Sequence, residues 1–339
     1  MHVGKEGFFQ PSALLQGWFW VRQDDDALNN QDWDTTFRVR RAELRIKGEI
    51  IPKFMSYNVM IDPAKLLEFV NADVPVQGQA PAPTTPGTVS VPQRARDASI
   101  LQDFYITFMS DYADVSLGQF KIPVSYEGVN SSSKLIMPER SAVSRRYGDV
   151  RDLGLRVEKK FEYFGYMAGV FNGEGPNRLD RNDAKDISLR LEGYPMEGLM
   201  LGLVGYTQVG ERTTAETTGA GAAAVKDRLE ADVRIEISHA LLQAEYIHGW
   251  DDIEANRVEG HGAYGALGYT FFDHVQPIVR IGFLNPNDTA GYDMIYEVGV
   301  NYYFLEHEAK LQLAYGLTNH VDVPGANHHE LILAGQIAF

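Results

Sequence analysis

The chain predicts an all-β protein, a 16-stranded antiparallel transmembrane β-barrel with short periplasmic turns and long extracellular loops. Three observations carry this. Apolar residues recur with period two in segment after segment, the signature of strands with one apolar face. No stretch of 18 consecutive apolar residues exists, so no helix is expected to cross a bilayer. Short and long connections alternate along the whole chain, as they do in a barrel whose turns lie on one side of the membrane and whose loops lie on the other.

In order, the strand segments fall near 11–22, 35–48, 53–61, 100–109, 114–123, 152–161, 163–172, 184–193, 199–209, 226–238, 241–250, 259–271, 275–284, 292–303, 308–318 and 328–339. Each is about 10 residues, the length at which a tilted strand spans a membrane. The pattern is clearest where Ala231, Val233, Ile235 and Ile237 alternate with Asp232, Arg234, Glu236 and Ser238. The longest apolar face is Met294, Tyr296, Val298, Val300, Tyr302 and Phe304. Short connections fall at 49–52, 110–113, 194–198 and around His239, Asp273 and Glu306; long ones at 23–34, 62–99, 124–151, 173–183, 210–225, 285–291 and 319–327. The final strand ends on Phe339, in phase with Leu331, Leu333 and Ile337. Aromatic residues are 11% of the chain. Groups at Trp18–Trp20, Phe161–Phe164, Tyr269–Phe272 and Tyr302–Phe304 fit interfacial girdles.

Composition narrows the function. The 339 residues contain no cysteine, which removes disulfides, thiolate metal sites and thiol nucleophiles. A formal charge of −15 argues against nucleic acid as a partner. The opening Met1–Glu6 has no apolar core of the kind a signal peptide needs, and a processed start looks the same. No linker divides the chain, so 1–339 reads as one barrel. Its stretch 72–93, with Pro75, Pro81, Pro83, Pro86 and Pro92, reads as part of an extracellular loop, 62–99, that favours extended polyproline and stays out of sheets. Asp24–Asp26 lacks calcium-loop spacing. Histidines 248, 261, 320, 328 and 329 gather toward the loop rim without carboxylates at ligand spacing, so neither metal nor cofactor is expected. No Ser/His nucleophile pattern supports an enzyme.

A lumen bounded by sixteen strands is too wide for side chains to fill. With the apolar face outward, it receives Arg45, Lys47, Arg156, Arg190, Arg234, Arg280 and Lys310 together with Asp103, Glu158, Asp186, Glu192, Asp232, Glu236 and Glu297. Two strands break phase. Phe37 and Val39 share one parity and Leu44 and Ile46 the other, which requires a β-bulge and turns the adjacent Arg40 and Arg41 toward the lumen. Val115 and Leu117 give way to Phe120 and Ile122 across Gly118, directing Lys121 inward. The loop 124–151 is the expected constriction, folded into the pore. It carries Lys134, Arg140, Arg145, Arg146 and Arg151 against Glu127, Glu139 and Asp149, with Ser131–Ser133 as hydroxyl donors. Basic groups in a narrow, low-dielectric passage concentrate anions, and planar guanidinium forks suit phosphate or carboxylate.

Phe37–Gly48, Leu117–Pro123, Pro138–Ser141, Arg151–Gly154 and Val170–Gly173 occur in an order that resembles the phosphate-selective porin O and P family. The resemblance covers most of the first half. It implies a homotrimer in the outer membrane of a Gram-negative cell, embedded in lipid and passing small anionic solutes. It also implies anion-holding roles for Arg40, Arg41, Ser132 and Arg140, joined by Asp103 and Lys121. Family members that handle phosphate display many lysines, whereas this chain is lysine-poor and acidic. A general or weakly cation-selective porin is therefore the alternative. From another class, a soluble β-sandwich carbohydrate-binding protein would have to cover the outward Leu, Val and Ile stripes with a second sheet.

Overall fold

The computed structural model describes residues 2–3, 7–25, 31–67, 69–75, 88–94, 100–180, 182–210, 225–253, 256–286, 291–321 and 327–339. Among them, sixteen antiparallel strands form a closed barrel. They are β1 (Gly7–Asp25), β2 (Gln31–Ile51), β3 (Met55–Ile61), β4 (Leu101–Phe108), β5 (Asp114–Lys121), β6 (Arg151–Lys160), β7 (Phe164–Phe171) and β8 (Lys185–Met196). They continue with β9 (Leu199–Val209), β10 (Val225–Ile237), β11 (Ala240–Ile253), β12 (Asn256–Tyr269), β13 (Val275–Asn285), β14 (Asp293–Leu305), β15 (Ala309–His320) and β16 (Asn327–Ala338). Each pairs with its sequence neighbours. Closure comes from β16 against β1, in register from Ala338 opposite Leu14 to His328 opposite Asp24. Phe339 completes the seam by exchanging two backbone hydrogen bonds with Ala13.

The wall is inside-out relative to a water-soluble fold. Leu229, Leu267 and Leu203 on the outer face are 56%, 61% and 61% exposed, while Arg190 and Arg280 on the inner face are 0% and 1% exposed. This is the period-two pattern read with lipid as the outer solvent. Every ladder hydrogen bond is made between strands, so none is left for a hydrocarbon phase that offers no partner. No described helix is long and apolar enough to cross a membrane.

Several expectations are corrected. The strands outrun ten residues: β1 has 19 and β2 has 21. The ends of the expected connection 23–34 are strand instead, as far as Asp25 and from Gln31 on, because polar rims keep pairing beyond the apolar band. Trp18 and Trp20 are not girdle residues. Leu15 and Gly17 take the outward parity of β1, so both indoles lie on the inner wall, with Trp18 5% exposed beside Ile332 and Ala334. Phe120 also goes inward, packing edge-on against Phe171 and Tyr105, because pairing runs unbroken through Gly118 with no bulge. Part of the proline-rich stretch does pair: Phe69–Pro75 and Thr88–Arg94 form a separate hairpin with Pro92 opposite Asn71. In two strands each has a free edge, where a proline costs no ladder bond. Pro81, Pro83, Pro86 and Asp26 lie outside the described residues.

Gly118 adopts φ +138°, and a Cβ there would stand 2.1 Å from the Phe104 carbonyl oxygen. Gly118→Val is expected to reduce the yield of folded barrel severalfold, read as loss of the fast-migrating band of unboiled protein in SDS gels.

A basic passage beside an inward-folded loop

The bulge in β2 is where the sequence places it. Gln16 pairs with Arg41 and Gly17 with Val39, so Arg40 is the extra residue and the two arginines follow one another into the lumen. Both are buried, at 7% and 3% exposure.

The segment joining β5 to β6, residues 122–150, meets them from inside the barrel. It forms two short helices, α1 (Tyr126–Val129) and α2 (Ala142–Tyr147), capped by the hydroxyls of Ser125 and Ser141. Inward side chains of the far wall hold it. Lys310 donates to the Leu135 carbonyl at 2.7 Å, Asn301 to that of Ile136 at 2.9 Å, and Gln336 to that of Ser133 at 3.1 Å. Glu127 accepts from Arg280 at 3.2 Å and from the Ser141 amide at 2.7 Å. Ile136, Met137, Val143 and Tyr147 pack in one apolar cluster with Leu241, Ile247, Tyr264, Ala266 and Ile278 of β11–β13. The loop therefore fills the β10–β16 half of the lumen. What stays open runs along β2–β6 and, toward the short turns, continues across β7–β10.

Glu139 ties loop to bulge. Its carboxylate accepts from Arg40 Nε at 2.6 Å and from Arg41 at 2.9 Å, with Arg145 at 3.1 Å. Burial alone would raise this carboxyl, but Arg41, Arg40 and Arg145 outweigh it and hold it well below the usual carboxylate range. Arg140 donates to the Glu127 carbonyl at 2.8 Å and to the Ser132 hydroxyl at 3.4 Å, and faces Asp149 at 3.2 Å. Asp149 shows the same balance: burial pushes it up, and Arg140, Lys121 and Arg151 bring it below its ordinary value.

Of the residues singled out from the sequence, Arg40, Arg41, Ser132, Arg140 and Arg151 line one cavity of about 250 Å³. With Lys65 it has five basic residues against Glu43, Asp62 and Asp149. Lys121 and Asp103 border the adjoining chamber of about 900 Å³ toward the short turns. Lys121 donates to the carbonyls of Gly128 and Asn130 at 2.7 and 2.6 Å, and Asp103 accepts from Arg151 at 2.8 Å. Arg145 reaches the group only through Glu139. Arg146 stands apart, 3.6 Å from Asp251 on β11. Sequence reasoning missed Lys65, Glu43 and Asp62 in the cavity, and the roles of Glu127, Arg280 and Lys310 as anchors of the loop. No local spacing marks these, since their partners are more than a hundred residues away or lie on another strand. Among the described residues no group of three His, Asp or Glu is placed to hold a metal ion.

Residues 17–219, more than half of the chain, match the family described as phosphate-selective porin O and P. The chain belongs to that family. It is a porin of the Gram-negative outer membrane, a β-barrel channel through which small hydrophilic solutes diffuse passively. Among curated proteins no sequence matches it. Solved structures share the porin's fold at low identity. The anion-selective porin from Comamonas acidovorans superposes with a TM-score of 0.66 at 11% identity, over 98% of this chain and 100% of that one. The trimer form of OmpT from Vibrio cholerae gives 0.66 at 12% identity, over 98% and 99%. The channel DcaP of Acinetobacter baumannii gives 0.64 at 8%, over 100% and 99%.

The Glu139 and Asp149 pairings set a pH window. Their carboxyls are depressed in the folded porin, so the pairing contributes fully above the unfolded value of about 4 and is lost as pH falls through the depressed values. Amide hydrogen exchange of the porin in detergent checks this. Protection of 135–147 should hold from neutral pH to about pH 4 and fall only below that.

Proposed function

We propose that the porin prefers anions and that its selectivity is set where the β2 bulge faces the inward loop. The observation that carries this reading is the consecutive pair Arg40–Arg41 opposite Arg140, in a passage with a basic majority inside a chain of net charge −15. Within a narrow passage walled by protein, solvent screening is weak and the local charge outweighs the distant total. Glu139 neutralises part of the pair but also fixes it, so guanidinium edges are held rather than left to search. Arg140 and Ser132 offer an anion a second set of donors on the loop side. Asp103, Lys121 and Arg151 continue the contact surface toward the wider chamber, Arg145 acts at its margin through Glu139, and Arg146, held by Asp251, takes no part in it.

A passive channel needs binding weak enough to release its solute. The carboxylates interleaved with the arginines serve that end. Nothing in this reading asks for catalysis or a cofactor. The assembly we infer is a homotrimer, as the Vibrio cholerae OmpT structure is in its trimer form. The wider chamber favours the alternative of weak cation selectivity: its lining has Asp103, Glu158, Glu162, Glu192, Glu197 and Glu236 against five basic side chains.

Reversal potential in a planar bilayer under a KCl gradient separates the two. The wild-type porin is expected to favour chloride, and the double variant Arg40→Ala, Arg41→Ala to lose severalfold in the chloride-to-potassium permeability ratio. A potassium-selective wild type, or a variant with an unchanged ratio, would overturn the assignment.

A further inference from the structure

The inner wall on the long-loop side of the bulge alternates rings with guanidinium groups. Arg22 lies 5.1 Å from the ring centre of Trp20. Arg38 stands 5.9 Å from Trp20 and 5.9 Å from Trp18, and Arg40 stands 5.6 Å from Trp18. The order Arg22, Trp20, Arg38, Trp18, Arg40 descends along β1 and β2 to the basic cavity. Beyond that cavity the arrangement recurs: Arg156 lies 4.5 Å from the centre of Phe120 and 5.8 Å from that of Tyr105, beside the 900 Å³ chamber.

Indole is an unusual lining for a water-filled lumen, and inorganic anions gain nothing from it. Its place in a barrel is the lipid interface, and here the parity of β1 turns it the other way. A guanidinium stacked on a ring keeps its N–H edge in the plane of the stack, where it can still donate to a carboxylate. A flat ring bearing a carboxylate matches both components, one face against indole and one edge against arginine. Trp20 is only partly covered, with Arg22 and Arg38 beside its ring, while the buried Trp18 lies beside Arg38 and Arg40. We propose that the solutes favoured by this porin are planar aromatic carboxylates, guided along the tryptophan–arginine wall to the Arg40–Arg41 passage. This rests on the anion-preferring reading above and names its solute class.

The test uses the full-length porin in planar bilayers, with benzoate, cyclohexanecarboxylate and acetate as blockers of the chloride current. The three share the carboxylate, and only benzoate has a flat aromatic ring. Benzoate is expected to block at a concentration about fivefold below either of the others, the scale of a ring contact. Trp20→Leu should bring benzoate within about twofold of cyclohexanecarboxylate by removing that contact. Phe19→Leu, on the outward parity of the same strand, should keep the wild-type ratio. If benzoate blocks no better than cyclohexanecarboxylate, or Trp20→Leu leaves its advantage intact, the aromatic preference is overturned while a chloride-selective current keeps the anion reading. A potassium-selective current sinks both.

Discussion

The structure depends on one constraint: a backbone surrounded by hydrocarbon must find all its hydrogen-bond partners in itself. A sheet meets that only by closing, and closure here is the seam of β16 on β1, finished by Phe339 against Ala13. Once the sheet closes, each strand has a lipid face and a lumen face. Alternation then sends Leu229 outward and Arg190 inward. Arg190 is tolerable inside because Glu192, Glu230 and Asp232 surround it at 2.7 to 3.3 Å. The same holds for Arg280 between Glu127 and Glu297. Buried ions of this kind stand only with partners present, since an unpaired charge in such a place is strongly destabilising.

Against that regular background a single extra residue gives the passage its paired arginines. Strict alternation would put Arg40 and Arg41 on opposite faces, one of them in lipid. The bulge puts both inside, at the cost of one interrupted pairing between Gln16 and Gly17. The loop between β5 and β6 then answers with Glu139. Two segments a hundred residues apart thus define a passage that neither defines alone, and the anchoring of the loop on β10–β16 decides which side of the lumen stays open.

The inner wall also explains how an acidic chain can contain a basic path. Much of its acid is committed to the ion networks that fix the loop and the far wall, or lines the chamber toward the short turns. The passage keeps the arginines. Selectivity in such a channel is a property of a few ångströms of wall rather than of total charge.

How much of this was legible in the sequence follows from the range of each interaction. Alternation is a local property, so the barrel, the strand order, the inward parity of Arg45, Arg190 and Arg280, and the bulge at Arg40–Arg41 can all be read by counting along the chain. The basic character of 124–151 is legible for the same reason. The girdle reading of Trp18 and Trp20 failed because aromatic clustering was read without the parity of its neighbours. The outward reading of Phe120 failed because a phase change in apolar residues need not be a change in pairing. Only the tertiary structure decided that Glu139 clamps the arginine pair, that Lys65, Glu43 and Asp62 join the cavity, and that Glu127, Arg280 and Lys310 hold the loop. Those contacts join residues brought together by closure of the ring, and their distance along the chain leaves no periodicity to read.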